Sequence, residues 1–373
     1  MIKNPFLIKG YVSPEYFCDR EEETKKIISA LINGRDITLV SLRRMGKTGL
    51  LHHISHQNEI QEGFKFIYCD VYKATNLPNM INILGNAVLS QLEKTTEKTI
   101  KKIKHFFSSF VPTISINPIT FQTEVDFRIE NTQQAEITIQ QIFSMIAHQN
   151  SRVILIIDEF QQIENFPEKN TEAILRTHIQ QTNNLNLVFS GSSKHILSAM
   201  FSHRDRPFYQ STQLMELGKI NEKKYIRFIR DKFTVGNTKI SDDRIVEILH
   251  LNRNHTYYVQ NLCNRLFERA FGEITSNLII EELNSVVQEN EPYYYGYRNL
   301  LTKQQFQLIR AIAKANGVEQ PSSHHFISKY NLGSSSTIND AIKSLMNKEL
   351  IFKENNIYHV YDVYFSYWLK NFL

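Results

Sequence analysis

The run Gly46-Lys47-Thr48 is the part of the chain whose residue types and spacing are best suited to chemistry. It follows the apolar residues 37–40, which predict a buried strand, and leads into an apolar stretch at 50–54 that predicts a helix. In such a turn, successive backbone N–H groups and the positive end of the helix dipole hold anionic phosphates. The layout therefore predicts a phosphate-binding loop, in which Lys47 reaches the phosphates and the Thr48 hydroxyl ligates Mg²⁺.

The loop departs from the pattern G-x-x-x-x-G-K-[ST] at one position, where Ser41 replaces the first glycine. Glycine permits unusual backbone angles that serine tolerates less well. We therefore keep a degenerate loop without hydrolysis as one alternative.

A second motif, which is acidic, follows a long apolar run. Residues 152–157 predict a strand buried on both faces of a parallel sheet, and Asp158-Glu159 follow at once. An acid at the carboxyl end of a parallel strand lies near the phosphate loop. We expect Asp158 to hold Mg²⁺ and Glu159 to act as general base on the attacking water.

Composition excludes several classes of protein. The 373 residues suffice for two or three domains, and hydrophobic (42%) and charged (22%) fractions are ordinary for a globular protein. We expect no membrane span, because no apolar run approaches 18 residues, and no signal peptide, because residues 1–17 lack a continuous apolar region. Three widely spaced cysteines predict a reducing, cytoplasmic setting. The net charge of +5 permits nucleic-acid binding without requiring it.

Strands that alternate with helices predict an α/β fold: a three-layer P-loop domain with a parallel sheet over residues 1–220. Residues 221–299 predict a helical lid domain, ending in a linker or aromatic contact strip at 291–299. Residues 300–373 predict a winged helix, with three helices and a hairpin. Within the first domain we expect a helix over 80–107 and a hairpin-like insertion over 111–130. That helix carries a basic run, interpreted chiefly as a solvated face: Lys94, Lys98, Lys101, Lys102 and Lys104.

Short segments spread over nearly the whole chain carry a family resemblance. They are NPF at 4–6, FCDRE at 17–21, RRMGKT at 43–48, DEFQ at 158–161, FSGS at 189–192, and LT and WL at 301–302 and 368–369. With these segments the sequence resembles the archaeal-type ATPase family within the STAND and AAA+ branch of P-loop ATPases. The resemblance implies a cytoplasmic ATPase that binds ATP with Mg²⁺.

The resemblance also implies roles for individual residues. It places Phe17 and Arg20 near the adenine and ribose. The loop residues Arg44, Met45 and Gly49 join Gly46, Lys47 and Thr48 in binding the nucleotide.

Three further roles come with alternatives. Ser192 would sense the γ-phosphate, although small residues at a strand end often form only a turn. Arg206 would act as a finger on a neighbouring subunit's nucleotide, which requires a homo-oligomer; an ordinary surface arginine is the other interpretation. His255 lies where the family has a Gly-His-Pro-like turn, and a plain helix start is the alternative.

The predicted recognition helix from Ser334 would expose Ser335, Thr337, Asn339 and Lys343, which can contact phosphates and base edges. Residues 301–373 carry eight Lys and Arg against five Asp and Glu, a modest excess for a DNA-binding module. Double-stranded DNA and a protein partner therefore both remain as occupants. The leading hypothesis is an ATPase coupled to DNA, and the alternative is a slow-turnover switch or scaffold that binds protein.

Overall fold

The computed structural model describes residues 4–92, 107, 112–116, 123–269 and 272–373. The chain divides into two compact units. One spans Gly10–Lys219, and the other combines Met1–Lys9 with Ile220–Leu373. Each unit is described by itself below.

The first unit is built on a five-stranded parallel sheet with the order β2-β5-β6-β1-β7. The strands of this unit are β1 (Ile37–Val40), β2 (Phe64–Asp70), β3 (Thr113–Ile116), β4 (Thr123–Asp126), β5 (Arg152–Asp158), β6 (Leu185–Gly191) and β7 (Gln213–Glu216). Strands β3 and β4 form a separate antiparallel hairpin. The central position of β5 and β6 explains their unbroken apolar sequences, since both faces of each strand are covered.

Helices cover both faces of the sheet and give the three layers that the sequence predicts. The helices of this unit are α1 (Glu21–Ile32), α2 (Lys47–Ser55), α3 (Asn58–Gly63), α4 (Leu77–Leu92), α5 (Thr132–Ala147), α6 (Thr171–Gln180) and α7 (Lys194–Ser202), with 3-10 turns at Pro14–Tyr16 and Phe160–Asn165. Alternate residues of β5 face opposite layers: Leu155 packs into the core with α4–α7, and Ile156 packs into the core with α1–α3.

The hairpin predicted within 111–130 is present in its described part, as β3 and β4. Its backbone is held by two amides of α4: Asn86 bonds both the N–H and the C=O of Val125, and Asn82 does the same for Phe127. The helix predicted over 80–107 is α4 as far as residue 92. Residues 93–106, and with them the basic run Lys94, Lys98, Lys101, Lys102 and Lys104, lie outside the described residues.

The second unit begins with helices. They are α8 (Glu222–Val235), α9 (Asp242–Leu251), α10 (Thr256–Arg269), α11 (Ser276–Glu289) and α12 (Glu291–Leu300). The N-terminal segment belongs to this unit, because the Phe6 ring packs 4.9 Å from that of Phe233 and Asn4 donates to the Asn264 carbonyl.

Helix α12 corrects the prediction of a linker at 291–299. Pro292 lies at its first turn, where a missing N–H costs nothing. Tyr294 is buried against Phe365 and Trp368, with ring centroids at 5.2 and 5.5 Å. The segment therefore matches the other interpretation, an aromatic contact strip.

The winged helix is confirmed. It comprises α13 (Lys303–Lys314), α14 (His324–Tyr330), α15 (Ser335–Asn347), strands β8 (Ile351–Glu354) and β9 (Ile357–Val360), and α16 (Val363–Asn371). Thr302 and Gln305 form a capping box at the start of α13, and Ser334 caps α15. Asn355 and Asn356 both have positive φ, as a tight hairpin turn between β8 and β9 requires.

Across the described parts of the chain, we find no helix with both the length and the apolar character needed to span a membrane.

Candidate active site

The loop between β1 and α2 has positive φ angles at two residues. Gly46 has φ 91° and Arg44 has φ 63°, and Lys47 then starts α2. Ser41 is buried, lies outside the positive-φ residues, and donates its N–H to the Gly191 carbonyl at 3.4 Å. The serine in place of the first glycine therefore needs no glycine-like backbone.

The loop and the acidic motif meet, because parallel strands β1 and β5 end at the same edge of the sheet. The Lys47 Nζ lies 2.5 Å from Asp158 Oδ1 and 3.3 Å from Glu159 Oε1. The Thr48 hydroxyl donates to Asp158 Oδ2 at 3.2 Å. Lys47 and Asp158 are only 6% and 2% exposed, so this ion pair is buried.

Three neutral groups also donate hydrogen bonds to the Asp158 carboxylate. Tyr68 donates its hydroxyl to Oδ2 at 2.5 Å, the backbone N–H of Glu159 donates to Oδ1 at 3.0 Å, and Ser190 also donates to Oδ1. Burial alone would raise the pKa of Asp158. The charge of Lys47 and the hydrogen bonds from Lys47, Ser190 and Tyr68 outweigh it, so the pKa is lowered and the carboxylate stays ionised.

Glu159 is held just beyond the strand end in a left-handed conformation, with φ 56°. Its Oε2 accepts hydrogen bonds from Ser192 Oγ at 3.0 Å and Gln161 Nε2 at 2.5 Å. Gln161 fits because Gly191 has no side chain: a Cβ there would lie 1.9 Å from Gln161 Oε1. The predicted sensor Ser192 is thus in direct contact with the predicted base.

Sequence reasoning gave no site role to Ser190 and Gln161, and it also missed two residues of β2. Tyr68 contacts Asp158 directly, and burial followed by the Asp158 charge raises its pKa, so it remains a donor. Asp70 is paired in register with Asp158, and its pKa is raised by burial and then by Asp158 and Glu159. The available signal was that β2, like β5, ends in an acidic residue. This signal points to the site only once β2 is known to lie beside β5.

Phe17 and Arg20 lie on the other side of the loop. The Phe17 ring stacks on His53 of α2 at 4.5 Å and lies 3.5 Å from where a Cβ of Gly49 would be. Arg20 is buried and donates to the carbonyls of Met45, at 3.4 Å, and Gly218, at 2.8 Å. Arg20 therefore ties the loop to the chain after β7.

Two predicted residues have other surroundings. Arg206 is ion-paired with Glu164, at 2.6 Å, and with Glu172. His255 belongs to the other unit, where it is buried at the turn before α10 with its ring 4.9 Å from that of Tyr258.

The arrangement brings together a cation, a hydroxyl and two carboxylates of different surroundings. A lysine and a helix N-terminus bind phosphate groups, and a hydroxyl with a carboxylate offers the oxygen ligands that Mg²⁺ prefers. A further carboxylate with fixed orientation can accept a proton from water. This combination suits the hydrolysis of a phosphoanhydride.

Comparisons with known proteins agree with this geometry. Residues 17–202 match a family described as an ATPase domain predominantly from Archaea, and residues 292–371 match one described as a probable winged helix domain. A search among curated proteins found no match to the sequence.

Solved structures resemble nearly the whole chain. A Walker-type ATPase of Pyrococcus abyssi matches with TM-score 0.66 and 16% identity, covering 98% of this chain and 99% of that one. The ORC2 protein of Aeropyrum pernix, in ADPNP–ADP complexes, matches at 0.55 and 14%, covering 96% and 93%. The ORC1 protein of the same organism, in complex with DNA, matches at 0.54 and 10%, covering 99% and 96%. At these identities the likeness shows a shared fold. The chain combines an ATPase domain of the predominantly archaeal family with a C-terminal winged helix domain.

Proposed function

We propose that this protein binds ATP with Mg²⁺ between α2 and the ends of β5 and β6, and hydrolyses it to ADP and phosphate. The observation that carries the proposal is the meeting of Lys47, Thr48, Asp158 and Glu159 at one edge of the sheet. Ser41 no longer argues for a degenerate loop, because its backbone is ordinary.

The residues present fit a magnesium ion. Thr48 Oγ1 and Asp158 Oδ2 are adjacent oxygen donors, and the lowered pKa keeps Asp158 in the charged form that a hard cation requires. These two side chains would hold the metal. When bound, Mg²⁺ supplies positive charge that offsets the phosphate oxygens.

Lys47 and Glu159 would then have separate tasks. Lys47 bonds both acids here, and its ammonium would turn to the β- and γ-phosphates when ATP enters. Glu159 would orient the attacking water and take its proton. Ser192 and Gln161 keep the Glu159 carboxylate aligned, and Ser192 would also respond to the γ-phosphate.

Steady-state phosphate release tests the proposal. Wild type should hydrolyse ATP only with Mg²⁺, and Glu159→Gln should lose about 10²–10⁴-fold of the rate, the usual contribution of a general base. The control is Glu62→Gln, which makes the same change at an exposed position of α3. Equal rates of ATP hydrolysis in both variants would show that Glu159 is not the general base.

We further propose that the winged helix binds double-stranded DNA through α15 and the β8–β9 hairpin. Ser335, Thr337, Asn339 and Lys343 are exposed on α15, which supports a groove-facing role. The likeness to ORC1, whose structure contains DNA, also supports it.

A slow-turnover switch that binds a protein through the same module is the second candidate. Two observations favour it. Helix α15 also exposes an acid, Asp340, and the Glu159 carboxylate already accepts hydrogen bonds from three side chains, Lys47, Gln161 and Ser192. A pull-down with and without ATP, followed by a duplex-DNA titration at low salt, separates the two candidates.

A homo-oligomer in which Arg206 contacts a neighbouring subunit's nucleotide would require Arg206 to leave its ion pairs with Glu164 and Glu172. In that case the specific ATPase activity should rise with protein concentration in wild type, and Arg206→Ala should abolish the rise.

A further inference from the structure

A groove in the C-terminal unit lies among α9, the end of α13 and α16. Its volume is about 670 Å³, within the range of small-molecule sites. Its lining is rich in polar and charged side chains, and none of them belongs to the site described above.

Arg253 is one of the charged residues that line this groove, which we call the arginine groove. Its guanidinium donates to the Val360 carbonyl at 2.9 Å and to Ser366 Oγ at 2.6 Å, and both partners are neutral. Within the described parts of the chain, no carboxylate lies within ion-pair distance of it. Arg265, by contrast, bonds Glu282 and Glu289 at 3.2 and 2.5 Å.

The surroundings of Arg253 compensate its charge only in part. Burial lowers its pKa, with only partial opposition from Tyr258 and Asp362, whereas hydrogen bonds to carboxylates raise the pKa of Arg265. A cation withdrawn from water without a counter-charge is unfavourable. An anion in the groove would supply that counter-charge.

Some of the other charged residues of the groove form ion pairs, and others are exposed. Glu247 is engaged by Arg244 and by Ser276, each at 2.5 Å. Lys370 is exposed on α16 and makes no ion pair with any residue that the structure describes, and Asp243 is exposed on α9. The groove thus offers two cations that form no ion pair with a carboxylate, Arg253 and Lys370, and a separate hydrogen-bond acceptor, Asp243.

We propose that the arginine groove binds a small molecule that carries a phosphate group and hydroxyl groups. A phosphate dianion matches the two cations, Arg253 and Lys370, and a planar guanidinium suits its oxygens. Asp243 and Asn316 line the same groove and accept hydrogen bonds from ligand hydroxyls.

Calorimetric titration with ribose 5-phosphate tests the site, with ribose as the phosphate-free probe. The phosphate-binding loop can also take a phosphate group, so only binding that depends on Lys370 is assigned to the groove. The variants are Lys370→Glu and, as a matched control, Lys303→Glu, an exposed lysine at the start of α13 outside the groove. Both positions are exposed, so both proteins should fold.

We expect saturable binding of ribose 5-phosphate and none of ribose. Lys370→Glu should weaken it about tenfold, since reversal removes one attraction and adds a repulsion. Lys303→Glu should leave it within about twofold, because salt screens an exposed charge that lies away from the groove. The proposal is overturned if ribose 5-phosphate shows no saturable binding up to about 10 mM, if ribose binds equally well, or if Lys370→Glu binds like wild type.

Discussion

Replacing Lys47 by methionine should destabilise the protein even when no nucleotide is present. The change keeps the length of the side chain and removes its charge. It leaves Asp158, which is 2% exposed, with no cation, beside the negative Glu159. The loss of nucleotide binding that the proposed function predicts for this variant would therefore be accompanied by a loss of stability.

The magnitude follows from the partners that remain. Removing one member of a buried ion pair costs about 3–5 kcal/mol. Asp158 still accepts hydrogen bonds from Thr48, Tyr68 and Ser190, so we expect the lower end, about 3 kcal/mol. Adding Asp158→Asn to Lys47→Met removes the stranded charge, and we expect the double variant to recover about 2 kcal/mol.

The effect should also depend on pH. In wild type the folded pKa of Asp158 is lowered, so its ion pair stabilises the fold above the ordinary carboxyl pKa and this contribution is lost as the pH falls. In Lys47→Met the hydrogen bonds from Ser190 and Tyr68 remain, but the charge of Lys47 no longer opposes the effect of burial, so the folded pKa of Asp158 should rise. The stability gap between the two proteins should therefore narrow from pH 7 to pH 5.

Urea unfolding measures both effects. Circular dichroism follows the whole chain, whereas fluorescence of Trp368, the single tryptophan, follows only the C-terminal unit. The Lys47 effect is assigned to the transition seen by dichroism and not by Trp368. Additive losses of stability in the double variant, or a stability difference between wild type and Lys47→Met that widens at pH 5, would show that Lys47 does not stabilise the fold by offsetting the charge of Asp158.

Three other predictions concern single contacts. Tyr68→Phe removes a hydrogen bond to a charged Asp158 and should cost about 1.5 kcal/mol in urea unfolding; an unchanged midpoint would mean that water replaces the hydroxyl. Gly191→Ala places a Cβ 1.9 Å from Gln161 Oε1 and should lower stability by about 1–3 kcal/mol and slow hydrolysis, whereas a normal rate would show that Gln161 is dispensable. Reversal of the exposed wing lysine, Lys353→Glu, should weaken duplex-DNA binding and reduce its salt slope by about 1, and identical salt titrations would exclude the wing from the contact.

The fold could be predicted because its strongest signals are local. The apolar run before Asp158 and the turn at Gly46 indicate buried strands that end in polar groups, and parallel strands bring such ends together. The winged helix was predictable for the same reason: the cap at Thr302 and the paired asparagines of the hairpin turn act within a few residues.

The missed features depend on strand order or tertiary packing. The contact of Tyr68 with Asp158 requires β2 beside β5, and alternation along a strand carries no information about its neighbour. Helix α12 is rich in tyrosine, which disfavours a helix in isolation, and packing of Tyr294 against Trp368 overrides that preference. The ion pairs of Arg206 likewise join acids that lie 34 and 42 residues away in sequence.

We infer that Glu159 performs hydrolysis at a site where Lys47, Thr48 and Asp158 bind the nucleotide. A single-turnover experiment tests it most directly: γ-labelled ATP is bound to excess protein, and bound ATP and released phosphate are followed in wild type and Glu159→Gln. We expect that both proteins bind ATP with similar affinity, that wild type releases phosphate, and that Glu159→Gln retains intact ATP at least about a hundredfold longer. This role of Glu159 is contradicted if wild type binds ATP and releases no phosphate, or if Glu159→Gln releases phosphate as fast as wild type.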